Sequence, residues 1–278
     1  MSIISVGCKL RYDVTAPTTF LINIAAARTP QQKVIDERLQ IMPNTPHEAF
    51  QLGFEDNRIF RLSLESGHLD LSYQAKVELQ PAVEEPKVQE AELPDLPPEV
   101  LPYLNPSRYC ESDRLVRWAN QEFGDLLPGF SRVTAIGNWT YEHLIYQSGS
   151  TTSQSTACDV LIQRAGVCRD YAHLAIALCR ALCIPARYVS GYAVGLEPPD
   201  FHGFFEAYLG SRWYLFDATR MAPVGGFVRI GTGRDAADTS FATLIGSAQL
   251  EEMSVWARDE TADSSQNAPS QAAAISTV

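Results

Sequence analysis

From Leu69 to Leu79 every second residue is apolar (Leu69, Leu71, Tyr73, Ala75, Val77, Leu79), and Phe60, Leu62 and Leu64 carry the same period just upstream. A repeat of two belongs to an extended chain with one face in a core and the other in solvent; a helix turning every 3.6 residues cannot keep it on one side. Tyr12, Val14, Phe20, Ile22 and Ile24 begin a similar pattern. Residues 1–80 are therefore expected to form a small all-β N-terminal domain, a sandwich or meander.

The pattern then breaks. Between Pro81 and Pro106 stand seven prolines interleaved with Glu84, Glu85, Glu90, Glu92, Asp95 and Glu99. Such a composition neither pairs into sheets nor continues a helix, and 81–106 reads as a linker, with Leu93, Leu96, Val100 and Leu101 offering apolar purchase along a surface. Helical spacing starts at Ser112 (Leu115, Val116, Ala119, Phe123), and further helices are expected from Ser131 through Tyr146, from Ser155 or Thr156 to Gly166, and from Cys168 to about Cys183, where Ile184-Pro185 stops the run. After that the period returns to two, in 186–194, 203–209 and 212–217. Helices followed by strands over 107–258 indicate an α+β domain. Residues 259–278, rich in Ser, Ala, Gln and Thr, are expected to be a disordered tail.

With 33 acidic and 22 basic side chains the formal charge is −11, and no Lys/Arg-rich run occurs. Phosphate neutralisation, and with it nucleic-acid binding, is disfavoured. No apolar run approaches the roughly 18 residues of a membrane span, and MSIISVGCKL lacks a charged leader region before an apolar core. A cytoplasmic protein with no membrane partner is expected. Six cysteines (8, 110, 158, 168, 179, 183) are sparse for this length and include no CxxC pair, so neither a disulfide framework nor a metal site is expected. Nothing points to a cofactor, and the oligomeric state is left open.

Cys168 lies in Arg164-Ala-Gly-Val-Cys-Arg-Asp-Tyr-Ala-His173. Gly166 ends one helix, and Cys168 falls in the first turn of the next, where unpaired N–H groups and the positive end of the helix dipole favour a thiolate and offer donors to an oxyanion. Taken alone, Cys168 reads equally as a small buried residue. Downstream, a two-residue turn at Gly210-Ser211 would oppose residues whose numbers sum to 421, which makes His202 and Asp217 diagonal neighbours on one sheet face, about 7 to 8 Å apart at the backbone. Each alone reads as an ordinary surface His and turn Asp. Together, one ring nitrogen of His202 on Asp217 and the other on Cys168, they build a nucleophile, a base and an orienting acid. His173, about 140° round the helix from Cys168, reads as structural. Trp139 is a candidate oxyanion or substrate contact, with helix packing as the alternative. Glu206, on the His202 face, is a candidate substrate or supporting contact, with a cross-strand charge pair as the alternative.

The strings Gly-Val-Cys168-Arg-Asp-Tyr-Ala-His-Leu, Cys183-Ile-Pro-Ala-Arg-Tyr-Val-Ser-Gly-Tyr, His202-Gly-Phe-Phe-Glu-Ala-Tyr-Leu and Trp213-Tyr-Leu-Phe-Asp-Ala-Thr together resemble the transglutaminase-like superfamily, most closely its bacterial cysteine-peptidase branch. The resemblance covers roughly 134–246, and the β-rich start resembles the region that precedes such cores. It implies a papain-like core, a nucleophile helix packed on an antiparallel sheet, with Cys168, His202 and Asp217 as triad. It also implies hydrolysis of peptide or other amide bonds through a thioester, in a peptide or protein substrate. Acyl transfer to an amine and a non-catalytic interaction module are the alternatives. The family usually has Ala and Trp after the histidine and often Pro after the aspartate, where this chain has Gly203, Phe204 and Ala218; these departures bear on specificity.

Overall fold

The computed structural model describes residues 1–53, 57–261 and 273–278. Strands β1 (Ser2–Ile22), β2 (Gln32–Met42), β3 (His47–Leu52), β4 (Asn57–Leu64) and β5 (Gly67–Leu79) form an antiparallel sheet in the order β2-β5-β1-β4-β3. The alternation in β5 does what period two requires: Leu69, Leu71, Tyr73, Ala75, Val77 and Leu79 are all buried. Opposite them Ile4, Val6, Cys8, Leu10, Tyr12 and Val14 of β1 bury the same face, with Val6 beside Ala75 and Leu10 beside Leu71. The first half of β1 pairs β5 and its end pairs β4, from Thr18↔Leu64 to Ile22↔Phe60.

The segment 81–106 does more than link. A short strand β6 (Ala82–Glu84) is followed by a stretch that lies on the second half of the molecule, burying Leu96 and Val100 against Tyr208. Leu93 and Leu101 stay exposed. Glu90 accepts from the backbone of Gly129 at 2.9 Å and from Arg132 Nε at 2.8 Å, so the strap is fixed to the helical layer by charge as well as apolar contact.

Helices α1 (Ser112–Phe123) and α2 (Phe130–His143), strand β7 (Ile145–Tyr146), helix α3 (Ala157–Gln163) and strand β8 (Ala165–Gly166) lead to the long buried helix α4 (Cys168–Ala181). The helix expected to run through Tyr146 stops at His143. Leu144 is extended, and the Ile145 N–H bonds the Arg164 carbonyl as β7 pairs β8 in parallel, a competitor that helical spacing does not reveal. Strands β9 (Ala186–Ala193), β10 (Phe201–Leu209), β11 (Arg212–Phe216) and β12 (Phe227–Gly233) make an antiparallel sheet, β11-β10-β9-β12, on which α4 packs. The β10–β11 register is the one the two-residue turn dictates, Leu209↔Arg212 through Phe205↔Phe216.

Two boundaries drawn from sequence are corrected. Strand β13 (Ala242–Asp259), expected within the α+β domain, pairs β1 along nearly its whole length, from Ile4↔Asp259 to Ile22↔Ala242, and so completes the first sheet. Residues 262–272 of the expected disordered tail lie outside the described residues, but Ala274–Ser276 form strand β14 on β6, with Ala274, Ile275 and Ser276 buried. The composition of the tail hides this strand because Ile275 is its one large apolar side chain, and that residue packs with Phe204, Leu215 and Phe227. The two sheets share a core, since Tyr192, Val228 and Ile230 pack among the apolar residues of β1 and β5. No helix among the described residues is long and apolar enough to cross a membrane.

Candidate active site

The first turn of α4 is built by Asp170. Its Oδ2 accepts from the Val167 N–H at 2.9 Å and from the Thr151 hydroxyl at 2.5 Å, while Oδ1 takes Arg169 Nη2 at 2.7 Å. Capping of this kind satisfies donors that the helix cannot pair internally and fixes the chain where it turns into Cys168. Gly166 is part of the device. A Cβ there would sit 2.6 Å from the Asp170 Cβ, so the glycine makes room for the cap. Arg169, anchored on Asp170 and on the Thr152 carbonyl (2.8 Å), ties the 147–156 loop to the helix start.

Strand β10 presents His202 to this turn. Its Nε2 lies 3.1 Å from Asp217 Oδ2, and the two side chains are 1% and 2% exposed. Asp217 Oδ1 accepts from both the N–H (2.9 Å) and the hydroxyl (2.7 Å) of Thr219, a local turn that orients the carboxylate. Thr219 was not singled out from sequence, although Asp-x-Thr is the spacing that signals it. The imidazole is flanked by the rings of Phe227 (5.5 Å) and Phe204 (6.4 Å). Nε2 is taken by Asp217, and Cys168 lies beside the ring, close enough to act on it. Burial by itself would lower the His202 value, but the hydrogen bonds and charges of Asp217 and Cys168 outweigh it and lift the imidazole to about 10. Asp217 is held below the usual carboxylate range: burial pushes it up, and His202 and Thr219 more than offset that.

Cys168, His202 and Asp217 lie together, while Trp139 and Glu206 go elsewhere. Trp139 packs against Trp118 (4.8 Å), stacks on His143 (4.1 Å) and carries Arg164 over its face (5.1 Å), which makes it part of the α1–α2 packing. An aromatic side chain that does interact with Cys168 is Tyr146, held by β7 opposite Gly166. Burial, followed by the charge of Cys168, pushes that phenol up. Glu206 is wholly buried between Arg187 (Nε at 2.7 Å) and Arg229, whose Nη1 lies at 3.2 Å and whose Nη2 makes a second contact. No substrate reaches it, and the cross-strand alternative is the one realised, since Arg187 is its partner in register. His173 is structural as expected; its Nε2 accepts from the Ala236 N–H at 3.1 Å, and burial and Arg169 push it down to about 3. Among the described residues no group of three or more His, Cys, Asp or Glu side chains is placed to hold a metal ion.

Comparison with known proteins adds the following. Residues 116–218, which contain Cys168, His202 and Asp217, match the model of the transglutaminase-like superfamily, and residues 3–96 match that of the bacterial transglutaminase N-terminal domain. A crystal structure of a candidate cysteine protease from Cytophaga hutchinsonii superposes with a TM-score of 0.95 at 42% identity, covering 99% of this chain and 97% of that one. An uncharacterised protein of Mycobacterium leprae is 26% identical over 247 residues, 82% of this chain and 88% of its own. An uncharacterised protein of Mycobacterium tuberculosis is 38% identical over 96 residues, 34% of this chain and 30% of its own.

Proposed function

The chain belongs to the transglutaminase-like superfamily, and we propose that it is a cysteine hydrolase of peptide or other amide bonds, with Cys168 as nucleophile, His202 as acid and base, and Asp217 as the group that orients the ring. What supports this reading is the buried His202–Asp217 pair beside a cysteine at the first turn of a capped helix.

In the proposed reaction the Cys168 thiolate adds to the amide carbonyl, and the oxyanion is met by N–H groups at the start of α4. Collapse of the adduct breaks the C–N bond as His202 gives its proton to the departing nitrogen, leaving a thioester on Cys168. Water then adds to the thioester carbon, His202 takes its proton, and the C–S bond breaks. The two carboxylate bonds from Thr219 keep Asp217 ionised and aimed at the ring throughout. We further infer a cytoplasmic setting, supported by six cysteines that are all unpaired.

A peptide and amide library incubated with wild type and Cys168→Ala, with a labelled primary amine present, tests the reading. Release of free acid that depends on Cys168, with a thioester trapped by mass spectrometry, is the expected result. Dominant incorporation of the amine would move the enzyme to acyl transfer. An inert Cys168 with no turnover would leave a binding module.

A further inference from the structure

Asp200 stands two residues before His202 at the entry to β10, a spacing that the pleat of an extended chain puts on the face of His202. It is exposed, and its carboxylate accepts from the Phe201 N–H at 2.7 Å. Among the described residues no Lys or Arg pairs with it, whereas the carboxylates of Asp170 and Asp217 beside the nucleophile each have a cationic or imidazole partner. Arg169 is committed to Asp170, Asp217 to His202, and Arg220 to Asn138 and the Tyr141 face. The Asp200 charge is felt by His202 and also by Tyr146, the two side chains that border Cys168. Asp200 is therefore an acid without a cationic partner on the His202 side of the nucleophile.

That side has a chemical meaning. His202 must face the nitrogen of the scissile bond in order to hand it a proton, which puts that nitrogen on the side of the site that carries Asp200. We propose that Asp200 is a specificity residue that selects substrates bearing a protonated amine on the nitrogen side of the bond, in the amine that departs or in one that attacks the thioester. The proposal rests on the reading of Cys168 and His202 given above.

The first test needs no knowledge of the substrate. Three methanethiosulfonates, carrying a trimethylammonium, a methyl or a sulfonate group, are reacted with the folded chain, and modification is mapped by mass spectrometry at Cys168, with the exposed Cys183 as internal reference. At a few ångströms through water a unit charge changes such rates severalfold, so the cation-to-anion ratio at Cys168 is expected to exceed that at Cys183 by roughly fivefold, less in high salt. Asp200→Asn should bring it down to the Cys183 value, and Glu197→Gln, an exposed acid three residues upstream, should leave it in place.

The second test uses p-nitrophenyl acetate to acylate Cys168 and then partitions the thioester between propylamine and 1,3-diaminopropane. The neutral nitrogen of the attacking amine forms the new amide bond, the C–S bond breaks, and the proton that this nitrogen loses passes to His202, while the far end of 1,3-diaminopropane stays protonated. Comparing wild type with Asp200→Asn cancels the basicities of the two amines, and the preference for the diamine is expected to fall roughly fivefold in the variant. An unchanged preference, or an equal loss in Glu197→Gln, overturns the role of Asp200 alone. A Cys168 that resists acylation while Cys183 reacts overturns the cysteine-hydrolase reading, and Asp200 falls with it.

Discussion

Strand β10 carries two buried ionisable side chains four residues apart on one face, His202 and Glu206, and their surroundings differ in a way that separates chemistry from architecture. Glu206 is closed on both sides, by Arg187 and by Arg229, and Arg229 is itself occupied by the hydroxyls of Thr232 (2.6 Å) and Thr277 (2.8 Å). The cluster joins β9, β10, β12 and the C-terminal segment and leaves no room for a ligand. His202 spends one ring nitrogen on Asp217 and lies beside Cys168, whose side chain is only partly covered. Burial and charge are common to both. What marks the site is a valence left open at the edge of the structure.

Removing that open valence should have the largest effect. Cys168→Ala is expected to lower turnover by at least about 10⁴-fold, as loss of a nucleophile does elsewhere, and to abolish the trapped thioester. Because the side chain is partly exposed, the urea midpoint should hardly move; a large fall would mean that Cys168 is a packing residue and would erase the contrast with Glu206.

Asp217→Asn comes next, at roughly 10³- to 10⁴-fold in turnover, because an amide cannot stabilise the imidazolium. The pH dependence sharpens the point. His202 is raised in the folded state to about 10, so the stability its proton contributes is complete below the free histidine value of about 6.5 and is lost as pH rises through about 10. The ring resonances should titrate with a midpoint near 10 in wild type and at a lower pH in Asp217→Asn. A wild-type midpoint near neutrality would show that the pair does not act as an ion pair.

The closed cluster should respond in the opposite sense. Glu206→Ala takes the carboxylate away from the buried Arg229 and one partner from Arg187, and a loss of about 3–5 kcal/mol in unfolding free energy is expected. Cys168 in the folded fraction should still react with iodoacetamide at the wild-type rate. A stable Glu206→Ala that has lost Cys168 reactivity would return Glu206 to the site and reverse the comparison.

The contrast was half legible in the sequence. The His202–Asp217 relation depends only on a two-residue turn and a register, both local, and the sequence shows them through Gly210-Ser211. The burial of β5 was legible for the same reason, as six alternating residues suffice. Arg187 and Arg229 reach Glu206 through the β9–β10 and β9–β12 pairings, which join residues 19 and 23 positions away and have no local signal. The pairing of β13 with β1 spans more than two hundred residues, and the burial of Ala274–Ser276 depends on a cleft that the rest of the fold must first create. Trp139 misled because helical spacing does not say which neighbour a ring meets. Tyr146 was hidden inside an expected helix that ended one turn early.

The smallest effect concerns Gly203, between the two sites, where the family usually has Ala. A Cβ at Gly203 would run into the hydroxyl of Tyr188, which is buried beneath it and feels the charge of Cys168. The glycine and the tyrosine are thus one packing solution: the phenol oxygen fills the volume that a methyl group would take. Gly203→Ala is expected to cost about 1–3 kcal/mol through overpacking, and Tyr188→Phe in the same chain should recover part of it by removing the nearest atom, with the ring carbon at 2.9 Å still in the way. The cycle of two single variants and the double, read by urea denaturation, should give a coupling of about 1 kcal/mol or more if the two side chains compete for one space. Additive losses would mean that each acts alone, and the departure from the family pattern at Gly203 would then need a cause other than Tyr188.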